Sequence, residues 1–485
     1  MHFMNRSLVR RSDGGRYSIH ELLRQYLAAK QVTDKAALEK LYSSYYLSKL
    51  ANTIRALHGA KPQETIAQLL QDIDNIRKSY KLAANHHLWI YLLDAHTGLR
   101  ALMARTGRWQ ESKAIFSDLL TNLEATQLDA DGERLKLVTE LSLSFTHWFI
   151  TQNTYEIDKA RYERYLTQEQ NPEMQIELLF HIAHHDEIHG DFATAEEEFL
   201  RALELAKETN NTIWQGAILE RLSDTPWLRG DYAQAAQYAR EWLELSEASG
   251  ETTFIVAASL TLHNRLTIMG DPEAASDALL QKALSYKDEV TLKSQALIFQ
   301  GLGLYESYQG DYKEGVSHLK TSLELFSQTT DKRTAALVAV SLAKALKELE
   351  RFDEASDAVR QSMNLFDFPG LQLGRLGEIE RHRGNLNDAK TYLIQSLEAY
   401  LSTTQPVFVL LEAFISLALI YTRLNDLETA LELAGYVFHH SAATAPQKAK
   451  LQSQFKTLKN PAKLSEKPVD ELVEEQIKKL KTLTF

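Results

Sequence analysis

The chain has no cysteine, and its 485 residues include only 9 prolines and 20 glycines. Without cysteine there is no disulfide, no thiolate zinc site and no cysteine nucleophile, and a reducing compartment suits such a composition. With so few helix breakers, long stretches are free to run as α-helix. Runs of about 18 uncharged apolar residues are also missing, so no membrane span is expected. Met1 to Arg11 lacks the apolar centre of a signal peptide, and the expected location is the cytoplasm. Positive charge is in deficit: 54 Lys and Arg against 65 Asp and Glu leave a net charge of -11. Phosphate contacts need a concentrated basic face, so no direct nucleic-acid binding is expected. The lysines that gather after Lys448 alternate with Glu466, Asp470, Glu471, Glu474 and Glu475, and read as a solvated amphipathic helix.

What is present is a beat. Gly190-Asp191-Phe192, Gly230-Asp231-Tyr232, Gly270-Asp271-Pro272, Gly310-Asp311-Tyr312 and Glu350-Arg351-Phe352 follow one another at intervals of 40 residues. Gly107-Arg108-Trp109 precedes them, and Gly384-Asn385-Leu386 and Asn425-Asp426-Leu427 continue the series. The glycine supplies a positive φ that ends one helix. The Asp or Asn after it can cap the next, and the aromatic or leucine starts the next buried stripe. Five residues past the glycine stands a small residue: Ala195, Ala235, Ala275, Gly315, Ala355, Ala389 and Ala430. Seven residues before it stands another: Ala183, Ser223, Gly303, Ala343, Gly377 and Ala418, with His263 the exception. Small residues at both places let paired helices approach closely.

This small/aromatic/small spacing resembles the tetratricopeptide repeat, although the beat here exceeds that family's period of roughly 34 residues. The resemblance implies an all-α fold: a right-handed helical solenoid over 86–440 of about nine helix pairs, one of them degenerate around Tyr155 with Asp158 at the small position. Capping helices are expected over 441–485. It also implies that first helices line a concave groove at fixed offsets before the turn glycine. Carried onto this sequence, those offsets give Phe180, His184, Glu187, Glu220, Asp224, Trp227, Asn264, Gln300, Tyr308, Lys344 and Lys347. Aromatics mixed with hydrogen-bonding groups of both charges suit a protein or peptide, or a small-molecule effector.

The N-terminus differs. Two β-prone stretches, Ser7 to Arg11 and Arg16 to Ile19, flank Ser12-Asp13-Gly14-Gly15, which is a hairpin signal. A helical pattern follows from His20 to Ala29, so residues 1–30 read as a winged-helix remnant and 31–85 as a helical linker. Ile19-His20-Glu21-Leu22-Leu23-Arg24 resembles the motif that ends the winged helix in the STAND class of signal-transduction ATPases and transcription regulators. By that resemblance His20 would touch the β-phosphate of ADP in an intact protein. No G-x-x-x-x-G-K-[ST] segment occurs in the chain, so no nucleotide-cradling loop is expected in it.

Catalysis is not expected, and neither is a cofactor. No Gly-x-Ser-x-Gly elbow occurs. His181, His184, His185 and His189 cluster, and His185 and His189 are spaced to share a metal, but Asp186 stands where a zincin needs its Glu base. The stripe of His181, His185 and His189 reads first as a solvated helix edge, with His185 and His189 only weak metal candidates. Glu196-Glu197-Glu198 reads as an exposed run, and His86-His87 and His439-His440 as helix-end imidazoles. The function implied is a sensor and interaction domain of a STAND ATPase. The alternative is a freestanding scaffold or self-associating protein with no switching role.

Overall fold

The computed structural model describes residues 9–11, 17–19, 34–57, 62–151, 155–271, 277–329, 331–402, 407–455 and 468–483. The beat becomes structure at its turns. Gly190 takes φ 84°, its N–H bonds the Glu187 carbonyl at 3.2 Å, and the Asp191 N–H bonds Asp186 at 2.9 Å. That pair of bonds satisfies two carbonyls left over at the helix end. Asp191 then caps the next helix, its carboxylate accepting from the Thr194 N–H at 3.2 Å. Asp231 and Asp426 do the same for Gln234 and Thr429. Where glycine is missing, Glu350 (φ 58°) and Asn425 (φ 62°) take the left-handed conformation instead.

Between the turns, first helices alternate with second helices. The first helices are Trp89–Thr106, Ala130–Thr151, Pro172–Ile188, Thr212–Arg229, Thr252–Met269, Leu292–Gln309, Lys332–Glu348, Pro369–Arg383 and Val407–Arg423. The second are Trp109–Glu124, Lys159–Leu166, Phe192–Glu208, Tyr232–Ser249, Ala278–Ser285, Tyr312–Ser327, Phe352–Leu365, Leu386–Ser402 and Leu427–His439. The small positions are buried where the paired helices touch: Ala183, Ala195, Ala235 and Ala355 are each 0% exposed. A Cβ added to Gly303 would lie 2.7 Å from Leu319 and 2.9 Å from the Gly315 carbonyl, so those two backbones nearly touch.

The core is a succession of clusters. Phe199, Leu222 and Trp242 belong to one, Leu319, Leu342 and Val359 to the next, Phe414 and Leu433 to another. Each fully buried side chain of this size contributes roughly 1.5–3 kcal/mol, and each cluster joins only neighbouring units, as in other solenoids. The coil winds tightly enough for distant units to meet. Arg105 Nη1 donates to Thr253 Oγ1 at 3.2 Å, and Tyr232 Oη donates to the Ala442 carbonyl at 2.6 Å.

Four expectations need correction. Strands Val9–Arg11 and Tyr17–Ile19 pair antiparallel, Val9 opposite Ile19. Two three-residue strands do not make a winged helix, so that remnant has no support in the described residues; His20 and the helix expected after it lie outside them. Asp158 is a helix cap, accepting from the Arg161 N–H at 3.1 Å, so the degenerate unit's second helix starts late, at Lys159. The Glu196 to Glu198 run is only partly solvated: Glu196 is 8% exposed and accepts from Gln234 at 2.7 Å, and burial pushes the Glu198 carboxyl up to about 7. His181 is buried too. No described helix is long and apolar enough to cross a membrane.

Candidate functional site

First helices sit between second helices, so their apolar residues spread around the cylinder and only the innermost strip is left for polar groups. Along three successive units that strip is a continuous chain of hydrogen bonds. Thr225 Oγ1 donates to Glu187 Oε1 at 2.6 Å, and the His184 imidazole meets Glu187 Oε2 at 3.2 Å. Arg221 bridges Glu187 (3.5 Å) to Asp224 (2.6 Å), and Arg265 reaches Asp224 from the next helix at 2.5 Å. The Arg265 guanidinium also lies 4.8 Å from the Trp227 ring centre. Burial pushes the Glu187 carboxyl up, but Arg221 and His184 outweigh it and hold the pKa below the usual carboxylate range. Burial lowers the His184 pKa against its bond to Glu187, and its Nε2 has no hydrogen-bond partner among the described residues.

Upstream, the strip continues into a buried aromatic nest. Tyr155 Oη lies 2.6 Å from His181 Nδ1, and Arg100 pairs with Glu177 at 2.5 Å. Burial, and then Arg100, hold the His181 pKa well below its ordinary value. Trp148 packs edge-on to His184 at 5.0 Å. Across from this nest stands Arg333, in the first turn of Lys332–Glu348. Its guanidinium lies 6.0 Å from the Trp148 ring and 5.8 Å from Phe368. The side chain is solvent-accessible, and no carboxylate among the described residues is within ion-pair distance of it. Desolvation inside the groove and repulsion from Arg221 lower its pKa.

A second charged knot lies further along. Glu378 accepts from Lys347 at 2.9 Å, from Lys450 at 3.1 Å and from Arg375. Gln447 reaches Glu412 at 3.4 Å, so helix Ala445–Gln454 seats itself in the inner face and fills that end. Lys344 lies 5.7 Å from the Tyr308 ring.

Of the residues expected in the groove, Glu220, Asp224, Trp227, Asn264, Gln300, Tyr308 and Lys344 keep solvent access. Phe180 does not: it is 9% exposed, packed on Phe199 at 5.6 Å and Trp214 at 5.3 Å, and so belongs to the core. Lys347 is 2% exposed and committed to Glu378, so it is a structural cation. His184 and Glu187 are buried beneath the groove floor and position Arg221 there. His185 and His189 lie at the end of Pro172–Ile188, away from the strip, and there they meet Glu156.

Residues 294–367 match the tetratricopeptide repeat. No curated protein sequence matches the chain. Among solved structures, a Rap protein complexed with competence and sporulation factor is 14% identical, covers 79% of this chain and 99% of its own, and superposes with a TM-score of 0.52. The apo quorum sensor NprR from B. thuringiensis is 14% identical over 75% of this chain and 97% of its own, with a TM-score of 0.46. A signal transduction ATPase with a tetratricopeptide repeat sensor from Pyrococcus horikoshii is 16% identical over 99% of this chain and 57% of its own, with a TM-score of 0.36. At these identities the first likeness speaks for the fold alone: a helical solenoid of tetratricopeptide type.

The repeat frame also explains the residues that sequence reading missed. Arg221 and Arg375 both stand nine positions before their turn glycine, a place outside the offsets carried over from the family. Their signal was a shared register. Arg100, Trp148 and Arg333 share none, because their part comes from units meeting across the coil.

Proposed function

We propose that the chain is a non-catalytic recognition domain that takes a protein segment or peptide along its concave groove, as the sensor arm of a STAND-class signal-transduction ATPase. The observation that carries the reading is Arg333. It is a solvent-accessible cation with no carboxylate within ion-pair distance among the described residues, framed by Trp148 and Phe368 and close to the Arg221–Asp224–Arg265 ladder. A guanidinium with no paired carboxylate offers its donors to an incoming anion, and the aromatic rings add apolar contact around the same point. A peptide with an acidic group beside an apolar side chain meets both demands, and the ladder supplies donors and acceptors for its backbone.

One similar structure points in the same direction: the Rap protein there is complexed with competence and sporulation factor. Fluorescence anisotropy on labelled peptides selected from a random library tests it. Binders should lose affinity by about tenfold or more when Arg333→Ala or Trp148→Ala is introduced, and exposed Arg333→Ala should leave Tm unchanged. Binders indifferent to both substitutions would move recognition away from the groove.

A further inference from the structure

We propose that Glu156, His185 and His189 form a binding site for a borderline divalent metal ion, with Zn2+ as its probe. One ligand atom from each residue lies within 4.8 Å of the other two. His185 and His189 stand one helical turn apart with rings stacked at 4.1 Å, and His189 Nε2 is 3.5 Å from Glu156 Oε1. Donors around a tetrahedral Zn2+ sit about 3.4 Å apart, so side-chain rotation at exposed residues closes the remaining gap.

The hydrogen bonds prepare the imidazoles for this. His189 Nδ1 lies 2.7 Å from the His185 carbonyl, and His185 Nδ1 lies 3.2 Å from Asp186 Oδ1. Both acceptors place the ring proton on Nδ1 and leave the Nε2 lone pair for the metal. A carboxylate behind a ligating histidine is the usual outer support, and here Asp186 is itself held by Lys159. His185 lies in the last turn of Pro172–Ile188 and His189 is its C-cap, where the helix dipole favours a cation. Two imidazoles and one carboxylate suit Zn2+ and neighbouring transition metals rather than Ca2+ or Mg2+. The three ligands leave the coordination shell open for water.

The ion would fasten segment 155–158 to the helix end. Tyr155, next to Glu156, reaches back to His181, so the metal stiffens one wall of the aromatic nest. The site stands independently of what the groove binds.

Calorimetric titration of Zn2+ into the untagged, chelator-stripped full chain at neutral pH tests the proposal. One site is expected, weakened about 10- to 100-fold in Glu156→Gln and in His189→Gln. All three side chains are at least partly exposed, so both variants should keep the wild-type circular dichroism. Hydrogen exchange at 155–158 should slow on adding Zn2+ to wild type only. Absence of binding, or binding unchanged in both variants, overturns the assignment and leaves attachment to other histidines as the explanation of any heat.

Discussion

Single side chains divide into those that hold the coil and those that face its interior, and Glu378 belongs to the first kind. At 3% exposure it is ringed by Lys347, Lys450 and Arg375. Removing it takes the shared carboxylate from buried Lys347 and Arg375, which keep only Glu348 and Glu412, so Glu378→Ala should cost about 3 kcal/mol by chemical denaturation. Burial works to raise this carboxyl's pKa, but Lys450, Arg375 and Lys347 hold it well below the ordinary value. A depressed carboxyl stabilises the fold above its unfolded pKa of about 4.3. The contribution falls away as pH drops through the folded value. The gap between wild type and Glu378→Gln should therefore persist at neutral pH and close only in strong acid, which a pH series of unfolding curves checks. Residue roles were the least legible part of the sequence. Phe180 and Asp224 come from the same set of offsets, yet one packs against Phe199 and the other faces the groove. A small rotation of a helix decides between those fates, and a periodic pattern does not fix it.

Helices and their turns were far easier to read, because a positive φ and a cap leave chemical signatures. Glycine at 190, 230, 270, 310 and 384 marks a left-handed residue at each place. Glu350 is the informative departure. It adopts φ 58° with a Cβ, its N–H bonds Lys347 at 2.9 Å, and the side chain is exposed. A left-handed conformation costs a residue with a Cβ about 1–2 kcal/mol. Glu350→Gly should accordingly stabilise the chain by about 1 kcal/mol, visible as a higher denaturation midpoint at unchanged slope. No gain would mean that the turn relaxes without glycine. The degenerate unit departs from the register for a related reason. Asp158 looked like a failed small position, whereas it is the cap of a helix that begins late because Tyr155 is drawn inward to His181.

At the scale of the molecule, the path of the coil follows from small rotations repeated at every helix pair, and no single residue encodes it. That is why contacts such as Arg105 with Thr253, Arg333 with Trp148 and Tyr232 with Ala442 had no sequence signal. These contacts curl a row of helix pairs into a trough, open to solvent around Arg333 and filled near Glu378 by helix Ala445–Gln454. The central claim is that ligands enter this trough. Hydrogen–deuterium exchange, with and without a selected peptide, tests it most directly. Protection should fall on Pro172–Ile188, Thr212–Arg229, Thr252–Met269 and the first turns of Lys332–Glu348, and spare Phe192–Glu208 and Tyr232–Ser249. Protection confined to those outer helices would contradict the account.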